Sequence, residues 1–319
     1  LSNIKPLKNW NVSRCKDFSN MFHGCKISEI KSLENWDVSN GKKFDRILSD
    51  NLLSDIKPLE KWDVSNATDL VGLFYGCKNL SDITPIKNWN ISNAKNLGSL
   101  FGGWKNLTDI TPIKNWNISK CEDIQYLFAG CENLSDITPI KNWDVSNVKD
   151  AGSLFSGCRK LSDITPIKNW NVSNIKNFGY MFYECSSITD IKALENWYVS
   201  NGTNIHMMFA HCNISDLKPL KNWNVSKVKD FSFMFNDCSS ITDLKPLENW
   251  NVSNGVEFNL MFAGLKLLTD VSPLKNWNVG NGKNFQMMFQ RCKLKNKNVL
   301  KNWKFKKSTD FESLIMGSN

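Results

Sequence analysis

Residues 143–170 read WDVSNVKDAGSLFSGCRKLSDITPIKNW, one tryptophan to the next, and the whole chain is built from copies of this stretch. Tryptophan recurs at Trp10, Trp36, Trp62, Trp89, Trp116, Trp143, Trp170, Trp197, Trp223, Trp250, Trp277 and Trp303, in uninterrupted steps of 26 or 27 residues. Twelve of the thirteen tryptophans are therefore one position seen twelve times, and only Trp104 stands apart. With that tryptophan as position 0, position +12 holds Phe22, Leu48, Phe74, Phe101, Phe128, Phe155, Phe182, Phe209, Phe235, Phe262, Phe289 and Ile315. The offset never changes, so the one-residue variation falls in the connection that follows. A unit this short cannot bury an apolar face alone, and its copies must stack on one another.

Within the unit, Val or Ile at +2 alternates with polar neighbours, which suits a short strand. Apolar or small residues then recur at +5, +8, +11, +12 and +15, as in Val148, Ala151, Leu154, Phe155 and Cys158. That spacing predicts a helix of about three turns, with Ser146 as its N-cap and Gly157 where it stops. The closing run, Leu161 to Trp170, predicts a second extended segment in which Pro166 bars further helix. The architecture expected is an α/β, right-handed array of about twelve strand-helix coils, forming one repeat domain over residues 1–319. The last unit reads Trp303-Lys304-Phe305-Lys306-Lys307 and ends at Leu314-Ile315, which fits a degenerate cap.

Composition narrows the function more than it names it. Forty Lys+Arg against 31 Asp+Glu leave a formal +9, which favours acidic surfaces in general but is too dispersed to indicate nucleic acid. Three histidines are few for an enzyme, because His is the commonest general base. No run approaches the roughly 18 apolar residues of a membrane span. The chain opens in phase at Leu1 rather than at a methionine, so its N-terminus does not report localisation.

Several residue types form rows down the array. Asparagine precedes tryptophan in eleven of twelve units, Lys61 being the exception, and Asn88, Asn115, Asn142, Asn169 and Asn196 are read as a structural ladder bonded to turn backbone. A recognition role for that row would need the side chains to face solvent. An acid stands at −7 in ten units, for instance Asp136 and Asp163, where local hydrogen bonding is favoured over a row of calcium ions. Eight of ten cysteines occupy +15, and Asn51, Trp104 and Leu265 share that position. This pattern favours a space-filling site with free, buried thiols over a metal or disulfide framework. Trp104 itself fits a core role better than an exposed one.

No phosphate-binding loop, nucleophile elbow or H-E-x-x-H motif is present. His23, His206 and His211 fall at three different offsets, and an enzyme reading would require His206, His211 and an acid to converge in a pocket. No catalytic, cofactor-binding or metal-ligating residue is assigned. Outward residues at +1 remain as partner contacts: Tyr198, the one aromatic there, with Asn90, Asn117, Asp144, Asn171 and Asn224.

The run W-[N/D]-V-S-N followed by [M/L]-F-x-G-C, carried here by Asn11-Val12-Ser13, Met21-Phe22, Gly24-Cys25 and their echoes, resembles the BspA-like surface leucine-rich repeats. It is especially similar to their variant in mycoplasma surface lipoproteins. The resemblance implies a leucine-rich-repeat-like solenoid, without enzymatic activity or cofactor, displayed at a cell surface, extracellularly or on a virion. It implies binding of a protein or surface ligand in adhesion or as a scaffold. The rival expectation is a structural component of a large DNA virus or cell-surface layer, self-associating end to end or laterally.

Overall fold

The computed structural model describes residues 2–304 and 311–318. They gather into two compact units, Leu1–Lys160 and Leu161–Asn319, each assembled from the same rung. A rung begins with a 3-10 turn immediately before its tryptophan, as in Thr84–Ile86, Thr138–Ile140 and Lys245–Leu247. Proline sits at the start of most of these turns, where a missing N–H costs nothing and its fixed φ suits the bend. The second extended segment expected here is thus a 3-10 turn, which Pro166 opens instead of blocking a helix.

The long helix is also absent. Among the described residues the only α-helix is Phe311–Ile315, and no run of residues forms a strand. From +8 to +15 the chain is a ribbon of turns whose amides alternate between two destinations. Phe18, Asn20, Phe22 and Gly24 donate to the carbonyls of Lys43, Asp45, Ile47 and Ser49 in the next rung. Met21, His23 and Cys25, between them, donate three residues back to Phe18, Asn20 and Phe22. Each amide has a partner, as buried backbone requires, without any i→i−4 bond. Parallel bridges at +7 run alongside, five in the first unit and four in the second among the described residues, such as Asp69↔Asn96 and Asn204↔Asp230.

Two positions per rung take left-handed backbone: +10 and +14 have positive φ in all eleven rungs from Trp10 to Trp277. Glycine meets that need at Gly72 and Gly157, but Tyr126, Phe233 and Leu260 accept it with a side chain, at roughly 1–2 kcal/mol each. Gly157 therefore marks a left-handed turn, and no helix reaches it to be stopped. Burying one phenylalanine contributes about 1.5–3 kcal/mol, so the core outweighs this strain.

That core is a set of columns running from rung to rung. Phe128 and Phe155 stack at +12 with centroids 5.9 Å apart, and Phe258 and Phe285 at +8 with 4.9 Å. Each tryptophan leans on the preceding rung and, in most, donates its indole N–H to the carbonyl at −3 there, as Trp62 does to Leu33 at 2.9 Å and Trp250 to Leu220 at 3.0 Å. Eleven of the twelve are 3–5 % exposed, whereas Trp10, in the first of the twelve rungs, is 55 % exposed. Trp104 is fully buried, as its core assignment requires.

Position +15 does more than fill space. Cys77, Cys131 and Cys238 direct Sγ to the carbonyl at +12 of the preceding rung, at 3.2, 3.4 and 3.0 Å. Asn51 makes the same bond to Phe22 at 2.7 Å and Trp104 to Phe74 at 3.0 Å. Cysteine, asparagine and tryptophan alternate there because all three are donors; Leu265 is the exception. All ten thiols are free. Burial pushes Cys77 up to about 11 and Cys121, Cys212 and Cys292 to about 12, which keeps them unreactive. Of the expected cap, Phe305, Lys306 and Lys307 lie outside the described residues, while Leu314 is buried.

Candidate functional site

Locating a site in a repeat means separating side chains that hold the rung from those free to vary. Three Asx turns account for much of the Asn and Asp content. At +1 the Oδ1 of Asn90, Asn117, Asp144, Asn171 and Asn224 accepts from the amide two residues on, at 3.0–3.2 Å. Ser146 is therefore a turn residue whose amide is held by Asp144, and it caps no helix. At −7, Asp136 and Asp163 accept from Thr138 and Thr165 at 2.7 Å, the local bonding expected of that acidic row. At +7, Asn96, Asp150 and Asn177 accept from Gly98, Gly152 and Gly179 at 2.8–3.0 Å.

The candidate contacts at +1 are exposed, yet five of the six carry this turn-closing duty. Tyr198, 64 % exposed, has no carboxamide or carboxylate with which to do so. The asparagines at −1 also differ from expectation. Asn88, Asn115, Asn142, Asn169 and Asn196 are exposed, and their side chains have no hydrogen bond among the described residues. The bonded ladder lies five residues later, at +4. There Asn66, Asn93, Asn147 and Asn254 donate Nδ2 to the serine carbonyl of the preceding rung at 2.7–2.8 Å. The −1 side chains instead line shallow surface grooves, Asn169 and Asn196 beside Asp163, Thr165, Lys168 and Asp190, and Asn115 and Asn142 beside Thr111 and Asp136.

Variation concentrates elsewhere, at +9, +10, +13 and +14 of the turn ribbon. These outward positions hold all three histidines and four of the five tyrosines: His23, His206, His211, Tyr75, Tyr126, Tyr180 and Tyr183. In the first unit, His23, Arg46, Asp50, Tyr75 and Tyr126 line one shallow groove of ≈ 340 Å³. In the second, aromatic rings meet edge to face: Tyr180 with Tyr183 at 5.6 Å, Tyr180 with His206 at 4.9 Å, and His206 with Phe233 at 5.6 Å. Phe233 is the one phenylalanine among the nineteen that leaves the inward register of its rung among the described residues.

Polar groups tie this cluster together. The hydroxyl of Tyr180 lies 3.0 Å from Nε2 of His206, whose Nδ1 bonds Ser232 Oγ, which in turn bonds Asp230. Burial alone would raise Asp230, but hydrogen bonds from His206 and Ser232 outweigh it and hold the carboxyl below its usual value. His211 faces Asp237 at 3.8 Å and Tyr183 at 5.6 Å, and Arg291 approaches Asp237 at 3.6 Å. The two histidines thus have separate acids, and Ser232, 3 % exposed, accepts from histidine while donating to aspartate. That polarity positions side chains; it does not activate a nucleophile. Among the described residues no group of three or more His, Cys, Asp or Glu assembles as a metal would need.

Aromatic and arginine side chains, which this face carries beside its histidines, are types enriched in protein contact surfaces. Sequence reasoning passed over this face by looking for aligned rows, whereas its signal is the set of residues that break the rows. The molecule is thereby a repeat protein whose stacked rungs present a varied aromatic and polar face on a constant frame.

The chain belongs to the family described as Mycoplasma protein of unknown function, DUF285, whose model matches residues 2–110, 51–165, 104–217 and 203–319. No curated protein matches it. Among solved structures it is similar to an internalin, inlF, of Listeria monocytogenes, with 18% identity over 89% of this chain and 78% of that one and a TM-score of 0.43. It is also similar to a leucine-rich-repeat protein of Leptospira interrogans, with 13% identity over 96% and 99% of the two chains and a TM-score of 0.22. The Arabidopsis receptor kinase HAESA, solved with the peptide hormone IDA and the co-receptor SERK1, shares 13% identity over 88% of this chain and 55% of that one, with a TM-score of 0.36. Among the described residues no helix is long and apolar enough to cross a membrane.

Proposed function

We propose that this chain is a non-enzymatic, surface-displayed scaffold of the BspA-like kind that binds a protein or surface ligand in adhesion. The observation that carries the reading is the confinement of all histidines and most tyrosines to four outward positions of an otherwise repetitive rung. A frame in which each Asx turn, indole bond and thiol contact is repeated leaves specificity to those positions. The same rung chemistry in both units supports treating residues 1–319 as one repeat domain. Exposed Tyr198 is a secondary contact, as are the exposed residues at the same +1 offset of other rungs, Asn90, Asn117, Asp144, Asn171 and Asn224. Surface display rests on the resemblance of the repeat to surface leucine-rich repeats.

The test is light scattering over a concentration series on the full chain, followed by affinity capture from extracts of candidate host cells. A monomer that retains one partner in fixed stoichiometry supports the scaffold. Concentration-dependent polymers without a partner would overturn it in favour of a structural component of a virion or surface layer.

A further inference from the structure

The two units differ sharply at +10. The first carries Asn20, Arg46, Gly72, Ser99, Tyr126 and Ser153, mostly small or polar. The second carries Tyr180, Met207, Phe233, Leu260 and Met287, apolar or aromatic in five consecutive rungs. Their amides donate to the next rung at the carbonyls of His206, Ser232, Asn259, Gln286 and Ser313, which sets the five in register as a column. At about 4.8 Å per rung the column spans about 19 Å.

Each of the five has positive φ, 52–58°, and each is partly exposed. Large side chains there combine backbone strain with apolar surface left in water, both unfavourable to the isolated fold. Gly72 and Ser153 at the same offset show that the rung does not demand them. Ser153, at φ 57°, shares the backbone conformation, so what sets the column apart is its large apolar side chains left partly in water, and that surface points to a use beyond folding.

The surroundings indicate what covers the column. At +7, +9, +13 and +14 of these five rungs the charged residues are Glu184, Asp230, Asp237 and Glu257 against Arg291, four acids and one base, a formal −3 in a chain of +9. Lysines at +6, Lys176, Lys229 and Lys283, stand one residue before the +7 column, on its far side from +10 along the chain. The backbone amides of the column are already bonded, so an occupant engages side chains and adds no strand to an edge.

We infer that the column from Tyr180 to Met287 is a docking stripe for a polypeptide segment of a partner that alternates apolar with Lys or Arg side chains. The inference rests on the scaffold reading and specifies one of its surfaces. Apolar side chains of the segment cover Met207, Phe233 and Leu260, while its cations meet Glu184, Asp230, Asp237 and Glu257 on either flank. Tyr180 and Phe233 add ring faces to which a cation is attracted.

The probe is a random dodecapeptide library displayed on phage, panned on the full chain. The comparison protein carries Met207→Ser, Phe233→Ser and Leu260→Ser, serine being the residue that Ser99 and Ser153 already place at this offset. An unchanged melting temperature and circular dichroism spectrum confirm that it folds; if it does not, Phe233→Ser alone serves. The expected result is enrichment of apolar-basic peptides whose affinity falls about tenfold or more on the variant, falls also with E184Q/D237N, and is unchanged by Tyr198→Ser. Peptides that bind wild type and variant alike would overturn the stripe but leave the scaffold reading standing. Stripe-dependent peptides without basic residues, or dimerisation abolished by the triple variant, would overturn the cationic partner. Failure to enrich any peptide, together with no captured protein, would sink both readings.

Discussion

A β-carbon added to Gly255 would lie 2.2 Å from Cζ of Phe258, in the same rung. The same approach recurs between Gly41 and Phe44 at 2.3 Å and between Gly282 and Phe285 at 2.2 Å. Ala67 and Ala94 at +5 accompany Leu70 and Leu97 at +8, whereas Cys15, Ile175 and Val228 precede Phe18, Phe178 and Phe231, so the close fit belongs to the glycine rungs and not to every phenylalanine at +8. Gly255→Ala is expected to destabilise the protein by about 1–3 kcal/mol through overpacking. Adding Phe258→Leu, which recreates the alanine-leucine pair, recovers most of that loss. Denaturant melts of the single and double variants measure the coupling; additive losses would refute the explanation.

The indole bonds are separable from indole packing. Trp62 bonds Leu33 at 2.9 Å, whereas the buried indole nitrogen of Trp116 has no partner among the described residues. Both rings are 3–5 % exposed, so Trp→Phe removes similar packing at each. Trp62→Phe should cost about 0.5–1.5 kcal/mol more than Trp116→Phe, the net worth of one hydrogen bond. Equal losses in urea titrations would show that the bond contributes nothing.

Of ten free cysteines, eight are buried and only Cys15 and Cys25 are partly exposed. A thiol reagent at pH 8 should therefore label at most two sites on the native protein and all ten in guanidinium chloride. Fast native labelling of Cys131 or Cys238, located by peptide mass mapping, would contradict the packing at +15.

Asp123 occupies the +7 column, where burial first, and then the charge of Asp150, raise its carboxyl above the ordinary 3.8, against hydrogen bonds from Gln125 and Asn96. A carboxyl raised in the folded state favours folding when protonated. Its penalty is absent below 3.8 and develops as pH rises through the folded value. Asparagine closes the same Asx turn at Asn96 and Asn177, and Asn177 and Asn204 are bridged neighbours. Asp123→Asn should thus raise the melting temperature at pH 7 and leave it unchanged at pH values well under 3.8. A gain that persists in acid would point to a cause other than ionisation.

The helix expected over +5 to +15 shows where one-dimensional reading stops. Apolar residues at +8, +11, +12 and +15 have helical spacing, and the structure does bury them. Burial periodicity reports which side chains face inward, but it does not report where the amides go. Asn20 bonds Asp45, 25 residues away, and only the neighbouring rung supplies that carbonyl. A warning was present in the recurrent glycine at +14, together with Gly72 at +10, since left-handed residues four apart cannot sit inside a helix. The asparagine ladder was displaced for a similar reason: Asn at −1 and Asn at +4 recur alike, and only the fold decides which one reaches a carbonyl.

By itself the sequence determined the period, the inward register of Trp, Phe and Cys, the absence of familiar catalytic motifs and the family resemblance, because each depends on identities repeated at constant spacing. Tertiary structure decided the hydrogen-bonding of the ribbon, the donor role of +15, and the convergence of Tyr180, His206, Ser232 and Asp230. Apart from the Ser232–Asp230 bond, the side-chain contacts among them join neighbouring rungs, 26–30 positions apart along the chain. Such contacts exist only once the rungs have stacked, so they leave no local pattern from which to read them.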